Sequence, residues 1–204
     1  WTGVVPLAGF LVVHLLAQAP ALWGPLAYAS TVGRVPSPWP ALLEVSLVYV
    51  PLLVHAGLGI RRALRAGSPG RAPAERTGEL VQVLSAAVLL VFMVLHVWQF
   101  RVRAWLGVIT AADYYPELCA SLSSTAWGGV PLVALGYLLG VTAAAVHGAH
   151  GVYRAALGLG LIGGSRERPW RLCCGGFGVA LFTVGALIVI DLASGSVLIH
   201  LRGL

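Results

Sequence analysis

Four histidines interrupt apolar runs at one per run: His14, His55, His96 and His147. Ionisable side chains are costly inside a bilayer and usually functional there. Imidazole offers a proton donor, a proton acceptor or a metal ligand. One such histidine carries little meaning. Four, one on each of four successive runs, point to a common use, provided they meet.

Depth determines whether they meet. Successive spans run in opposite directions. His14 and His96 lie past the midpoints of runs entering from one side, and His55 and His147 past the midpoints of runs entering from the other. At 1.5 Å per residue the offsets are about 7 to 11 Å from the membrane centre. His14 and His96 therefore share an outer level, and His55 and His147 an inner level, about 16 Å apart. Two neutral imidazoles from facing helices are what a six-coordinate haem iron requires. No CxxCH occurs, so such haems would be held non-covalently, as b haems. Two other readings stand beside this one: helix-to-helix hydrogen bonding, and a metal site, which would gather its ligands at one depth. Glycines near the histidines (Gly3, Gly9, Gly57, Gly59, Gly148, Gly151) suit close approach of a flat macrocycle, but also ordinary helix packing.

The elements that must position these residues follow from composition. The 204 residues are 58% hydrophobic and 10% charged, with a mean hydropathy of +0.88. Soluble domains carry about 25% charge. An ordinary cytosolic enzyme, a disordered chain and a small disulfide scaffold are excluded. A span needs about 20 apolar residues, and the long continuous runs differ from the alternating segments of a transmembrane barrel. The expected fold is an all-α integral membrane protein, one domain over 1–204, with a five-helix bundle enclosing two b haems. The first helix is expected to end near Ala19 to Trp23. The second is expected over Pro40 to Ile60, the third over Leu80 to Phe100, the fourth from Gly129 past Arg154, and the fifth over Leu172 to Ile199. Residues 66–78 read as a loop, and 104–126 as a surface connection with one interfacial helix. The first run is too long, and lacks the flanks, for a signal peptide. A short N-terminal segment before Trp1 is expected.

All thirteen basic residues are arginine. They cluster at the ends of apolar runs, so the net charge of +6 marks topology and not nucleic-acid binding. Nine (Arg61, Arg62, Arg65, Arg71, Arg76, Arg154, Arg166, Arg168, Arg171) fall on one side. Four (Arg34, Arg101, Arg103, Arg202) fall on the other. The positive-inside rule puts the nine, and the N-terminus, in the cytoplasm. Cys119, Cys173 and Cys174 form no metal or redox motif. Glu44, eleven residues before His55, is expected on the haem side near the outer level, where quinone protonation could occur; its alternative is a helix-start acid. Asp191, in the outer part of the fifth run, is a second candidate for proton handling, or else a bundle hydrogen-bonding group. His150 and His200 are expected near interfaces, and Trp98 and Tyr153 in bundle or haem packing.

The stretches around the histidines resemble the dihaem cytochrome b membrane anchor of succinate:quinone oxidoreductases and fumarate reductases. They are TGVVPLAGFLVVHLL, LEVSLVYVPLLVHAGLGI, QVLSAAVLLVFMVLHVWQFR and HGAHGVYRAALGLGL, in that order over about residues 2–160. The resemblance selects His147 over His150, since Gly151 follows it by four. It implies five helices and two b haems. It also implies a flavoprotein and an iron–sulfur subunit on the cytoplasmic face, electron flow from succinate through inner and outer haem to quinone, with menaquinone expected, and a bacterial cytoplasmic membrane. The chain itself would hold no dicarboxylate site. Two positions depart from the family: the third helix begins Gln82-Val83-Leu84-Ser85-Ala86 without the Arg found there, and Ala145 stands where one branch has an acid. Alternatives are the cytochrome b subunit of a formate dehydrogenase, nitrate reductase or hydrogenase, or a haem-free transporter.

Overall fold

A computed structural model of the chain describes residues 4–32, 39–65, 73–126 and 128–195. Arg34, Arg71, His200 and Arg202 lie outside the described residues. Among the described residues five helical stretches are long and apolar enough to cross a membrane: Pro6–Trp23, Leu42–Arg65, Thr77–Trp105, Leu132–Gly158 and Gly164–Ser194. They are called the first to fifth spans here. Their outward side chains, such as Leu53, Val91, Leu95 and Val179, are largely exposed, which suits lipid and not water.

The boundaries follow local chemistry. The first span tightens into a 3₁₀ turn over Ala19–Trp23 and stops at Gly24. Gly24 has φ +97°, a conformation that side chains disfavour. Pro25 then starts a separate helix, Pro25–Val32, that the sequence reading did not anticipate. It is tied back by the Tyr28 hydroxyl, which donates to Gln18 Oε1 at 2.9 Å. The helix of the third span starts at Pro73, earlier than expected, because proline is well suited to a first helical turn. Between the third and fourth spans the chain forms the expected extra helix, Tyr114–Leu122. A capping box between Thr110 and Asp113 opens the preceding turn.

The fourth span packs along both the third and the fifth. Small residues make this possible: a Cβ on Gly178 would come within 2.9 Å of Ala149 Cβ, and one on Gly185 within 2.7 Å of Val141. At the C-terminal end of the fifth span Ala21, Tyr28, Leu122, Ala134, Ile188, Val189 and Leu192 form the core. The second span behaves differently. Its close backbone approaches to other elements are chiefly to Val4–Ala8.

Among the described residues three π-helical turns occur, at Val4–Ala8, Val45–Tyr49 and Trp98–Val102. Such turns cluster at functional sites. The second has a visible cause. Pro51 has no N–H for the carbonyl of Leu47, so the ladder widens and Val50 N–H bonds Val45 instead. This turn lies between Glu44 and His55. The eleven-residue spacing that put both on one face assumes an unbroken α-helix, so that argument does not carry over.

Candidate functional site: two facing histidine pairs

The four span histidines meet in two pairs. The rings of His14 and His96 have centroids 5.8 Å apart, and those of His55 and His147 are 6.0 Å apart. Within each pair the ring planes cross at 86° and 81°.

Neighbouring side chains give the spacing between the pairs twice over. His147 reaches Ser85 on the third span, whereas His96 lies eleven residues further along that span. His96 reaches Tyr137 on the fourth span, ten residues before His147. At 1.5 Å per residue these intervals are about 16 and 15 Å.

The fit to a planar iron cofactor can be tested on distance. Metal–imidazole bonds run about 2 Å and a ring nitrogen lies about 1.1 Å from its centroid, so rings on opposite sides of one iron have centroids about 6 Å apart. Both pairs meet that requirement. Gly57 and Gly59, on the same span as His55, are exposed, and an added Cβ on either would meet nothing within 4 Å. Among the described residues no three His, Cys, Asp or Glu side chains gather as a metal cluster. Two protein ligands per site suit an iron whose remaining ligands come from a macrocycle.

Hydroxyl and amide groups set the rings on the third and fourth spans. His96 Nδ1 lies 3.2 Å from the Tyr137 hydroxyl, which donates to Gln99 Oε1 at 2.8 Å. The Gln99 amide in turn donates to Ser121 at 3.0 Å. Phe92 stacks on His96 with centroids 5.4 Å apart. At the other level His147 Nδ1 lies 3.4 Å from Ser85 Oγ, and Ser85 donates to the Gln82 carbonyl at 3.1 Å. Gln82 Nε2 lies 3.4 Å from His147 Nε2, while its Oε1 accepts from His150 Nδ1 at 2.8 Å. Ser85, Gln99 and Tyr137 were not singled out as site residues by the sequence reading. Their signal was available: they are polar groups inside apolar runs, which must find partners in a membrane.

The acids take distinct places. Glu44 forms an ion pair with Arg101 and accepts from the Tyr49 hydroxyl at 3.1 Å. Arg101 also lies over the Trp105 ring at 5.5 Å. Glu44 is thus held at the outer end of the second and third spans. Asp191 is 1% exposed, in the outer core beside Tyr115 and Cys119. Burial, then the neighbouring Cys119 and Asp191, raises the Tyr115 hydroxyl above its usual range. Tyr153 donates to Glu167 at 2.8 Å, tying the fourth span to the fifth. Trp98 does not pack into the bundle: it is 59% exposed.

Fold and site together define a multi-pass helical membrane protein with two facing histidine pairs at two depths. The chain is similar to the succinate dehydrogenase cytochrome b558 subunit of Bacillus subtilis (strain 168), at 29% identity over 162 residues. The match covers 78% of this chain and 76% of the relative. The resemblance carried by the four histidine stretches thus agrees with a curated protein of that kind. No family model matches the chain, and no solved structure matches it.

Proposed function

We propose that the chain is the membrane-anchor cytochrome b subunit of a succinate dehydrogenase and holds two b haems. In this reading His55 and His147 ligate the inner haem, and His14 and His96 the outer one. The observation that carries it is the meeting of the four histidines in two pairs, at 5.8 and 6.0 Å.

When bound, each haem would supply a reversible one-electron couple, the chemistry that passing electrons from succinate oxidation to a quinone needs. The chain's own residues do the rest. The imidazoles fix each iron at a set depth. The apolar spans exclude water around them. Arg61, Arg62 and Arg65, with Arg154, Arg166, Arg168 and Arg171, form a basic end facing the cytoplasm. There the flavoprotein and iron–sulfur partners dock, and the N-terminus lies on the same side. This matches a multi-pass protein of the bacterial cytoplasmic membrane. At the outer end Glu44 and Asp191 are the candidate acids for protonating quinone, with menaquinone the expected acceptor. Glu44 does so from within its contacts to Arg101 and Tyr49.

The test is purification of the intact complex from membranes, with a haem count by pyridine haemochrome and reduction by succinate. Two low-spin haems per chain, both reduced by succinate, are expected. His96→Ala should remove one absorbance component and His147→Ala the other. Two haems retained in both variants would sink the ligand assignment. Haem reduced by formate or hydrogen, and not by succinate, would move the chain to another oxidoreductase. Less than one haem per chain would favour a haem-free membrane protein.

A further inference from the structure

We infer that the hydroxyls of Tyr137 and Ser85 are positioning residues that hold His96 and His147 as their Nδ1–H tautomers, turning the lone pair of each Nε2 into the coordinating position. The inference rests on the reading of both histidines as axial ligands. It adds what selects the ligating nitrogen.

Proton counting carries the argument. A tyrosine hydroxyl has one proton. That of Tyr137 goes to Gln99 Oε1, and the other end of the same amide donates to Ser121. Toward His96 Nδ1, at 3.2 Å, Tyr137 can only accept. Nδ1 therefore carries the proton and Nε2 does not.

The inner site repeats this with different groups. Ser85 spends its one proton on the Gln82 carbonyl, so at 3.4 Å it accepts from His147 Nδ1. A second count agrees. Gln82 Oε1 is occupied by His150 Nδ1, which leaves the amide nitrogen to face His147 Nε2. An N–H directed at Nε2 requires that nitrogen to be unprotonated. A metal held by His147 Nε2 would have to displace that amide contact.

A hydrogen bond from the distal N–H to an oxygen also makes the imidazole a stronger donor. Stronger donation favours the oxidised iron, so loss of the bond favours the reduced one. Each hydroxyl should therefore set the potential of its own level only.

The experiment is a redox titration of the intact complex, with haem content counted in each variant. Tyr137→Phe should raise the midpoint of the component that His96→Ala removes. Ser85→Ala should raise that of the component lost in His147→Ala. The expected shift is about two- to tenfold in the reduced-to-oxidised ratio, tenfold being about 59 mV for one electron. Ser85→Thr, which keeps the hydroxyl, should retain the parental value. Should Tyr137→Phe fail to assemble, Gln99→Leu replaces it: this variant removes the acceptor of the Tyr137 proton and should shift the same component. Full haem content with both midpoints unchanged in the hydroxyl variants would overturn the inference and leave the ligand reading standing. Haem retained in His96→Ala and His147→Ala would overturn the ligand reading itself.

Discussion

The guanidinium of Arg101 closes an ion pair on the carboxylate of Glu44, joining the third span to the second five residues beyond His96. Tyr49 donates to the same carboxylate and sets its ring against Trp105, with centroids 5.7 Å apart. Both charged side chains are mostly removed from solvent, at 29% and 25% exposure. Removing one leaves the other poorly solvated. Arg101→Leu or Glu44→Leu should each cost about 1–3 kcal/mol. The double variant should cost less than the sum of the two. Thermal unfolding of the purified protein in detergent measures the cycle. Additive losses would mean that the pair contributes no coupling.

Gly140 lies directly under the Phe92 ring. A Cβ there would come within 2.3 Å of Phe92 Cγ, and Phe92 stacks on His96. Gly140→Ala must push Phe92 toward the outer pair, since the contact is at the root of the ring and not at a flexible tip. Overpacking of this kind costs about 1–3 kcal/mol. The absorbance of the outer component should weaken or shift while the inner one stays unchanged. Equal damage to both components would indicate general misfolding instead.

The near-perpendicular ring planes give a spectroscopic expectation. If these rings, crossed at 86° and 81°, held an iron between them, they would donate equally to its two π-symmetry d orbitals. Those orbitals then stay close in energy, and the oxidised low-spin form has a strongly anisotropic EPR signal. Low-temperature EPR of the oxidised complex checks this. Weakly anisotropic signals at both sites would show that the rings rotate toward parallel.

Asp113 supplies a pH dependence outside the spans. Hydrogen bonds from the Thr110 N–H, at 2.7 Å, and from the Thr110 hydroxyl, at 2.8 Å, hold its carboxyl below the usual carboxylate range. A folded-state pKa lowered in this way contributes stability above the ordinary value of 3.8. That contribution is lost as pH falls through the folded value. Protection against hydrogen exchange at residues 110–114, corrected for the intrinsic rate at each pH, should therefore fall on acidification below about pH 4. Asp113→Asn should show faster exchange already at neutral pH and lose the acid dependence.

The sequence revealed the parts of this protein that depend on hydropathy and spacing. Apolar runs located the five spans, and counting along them put the four histidines at two levels. It could not reveal contacts set by helix rotation. The Glu44–Arg101 pair joins residues 57 positions apart, and the π-helical turn at Val45–Tyr49 alters the rotation that an ideal helix would give. Hydropathy does not register such a turn; Pro51 was its one local sign. Trp98 was read as packing because aromatic residues near a functional histidine commonly pack. Yet the Trp98–Val102 turn leaves it on the outside. The helix Pro25–Val32 was missed because it is short, and its anchor is a single tyrosine reaching back to Gln18.

The second span is fastened at points and not zipped along its length. Its ties are the His55–His147 contact, the Glu44–Arg101 pair and the Tyr49–Trp105 edge, beside the approach to Val4–Ala8. The fourth span holds both the third and the fifth through tight glycine contacts. A helix riveted at a few places can swing aside without unpicking the rest. The bundle is therefore built like a cabinet with a fixed back and a hinged front, so the order of biogenesis can be back first, cargo next and door last.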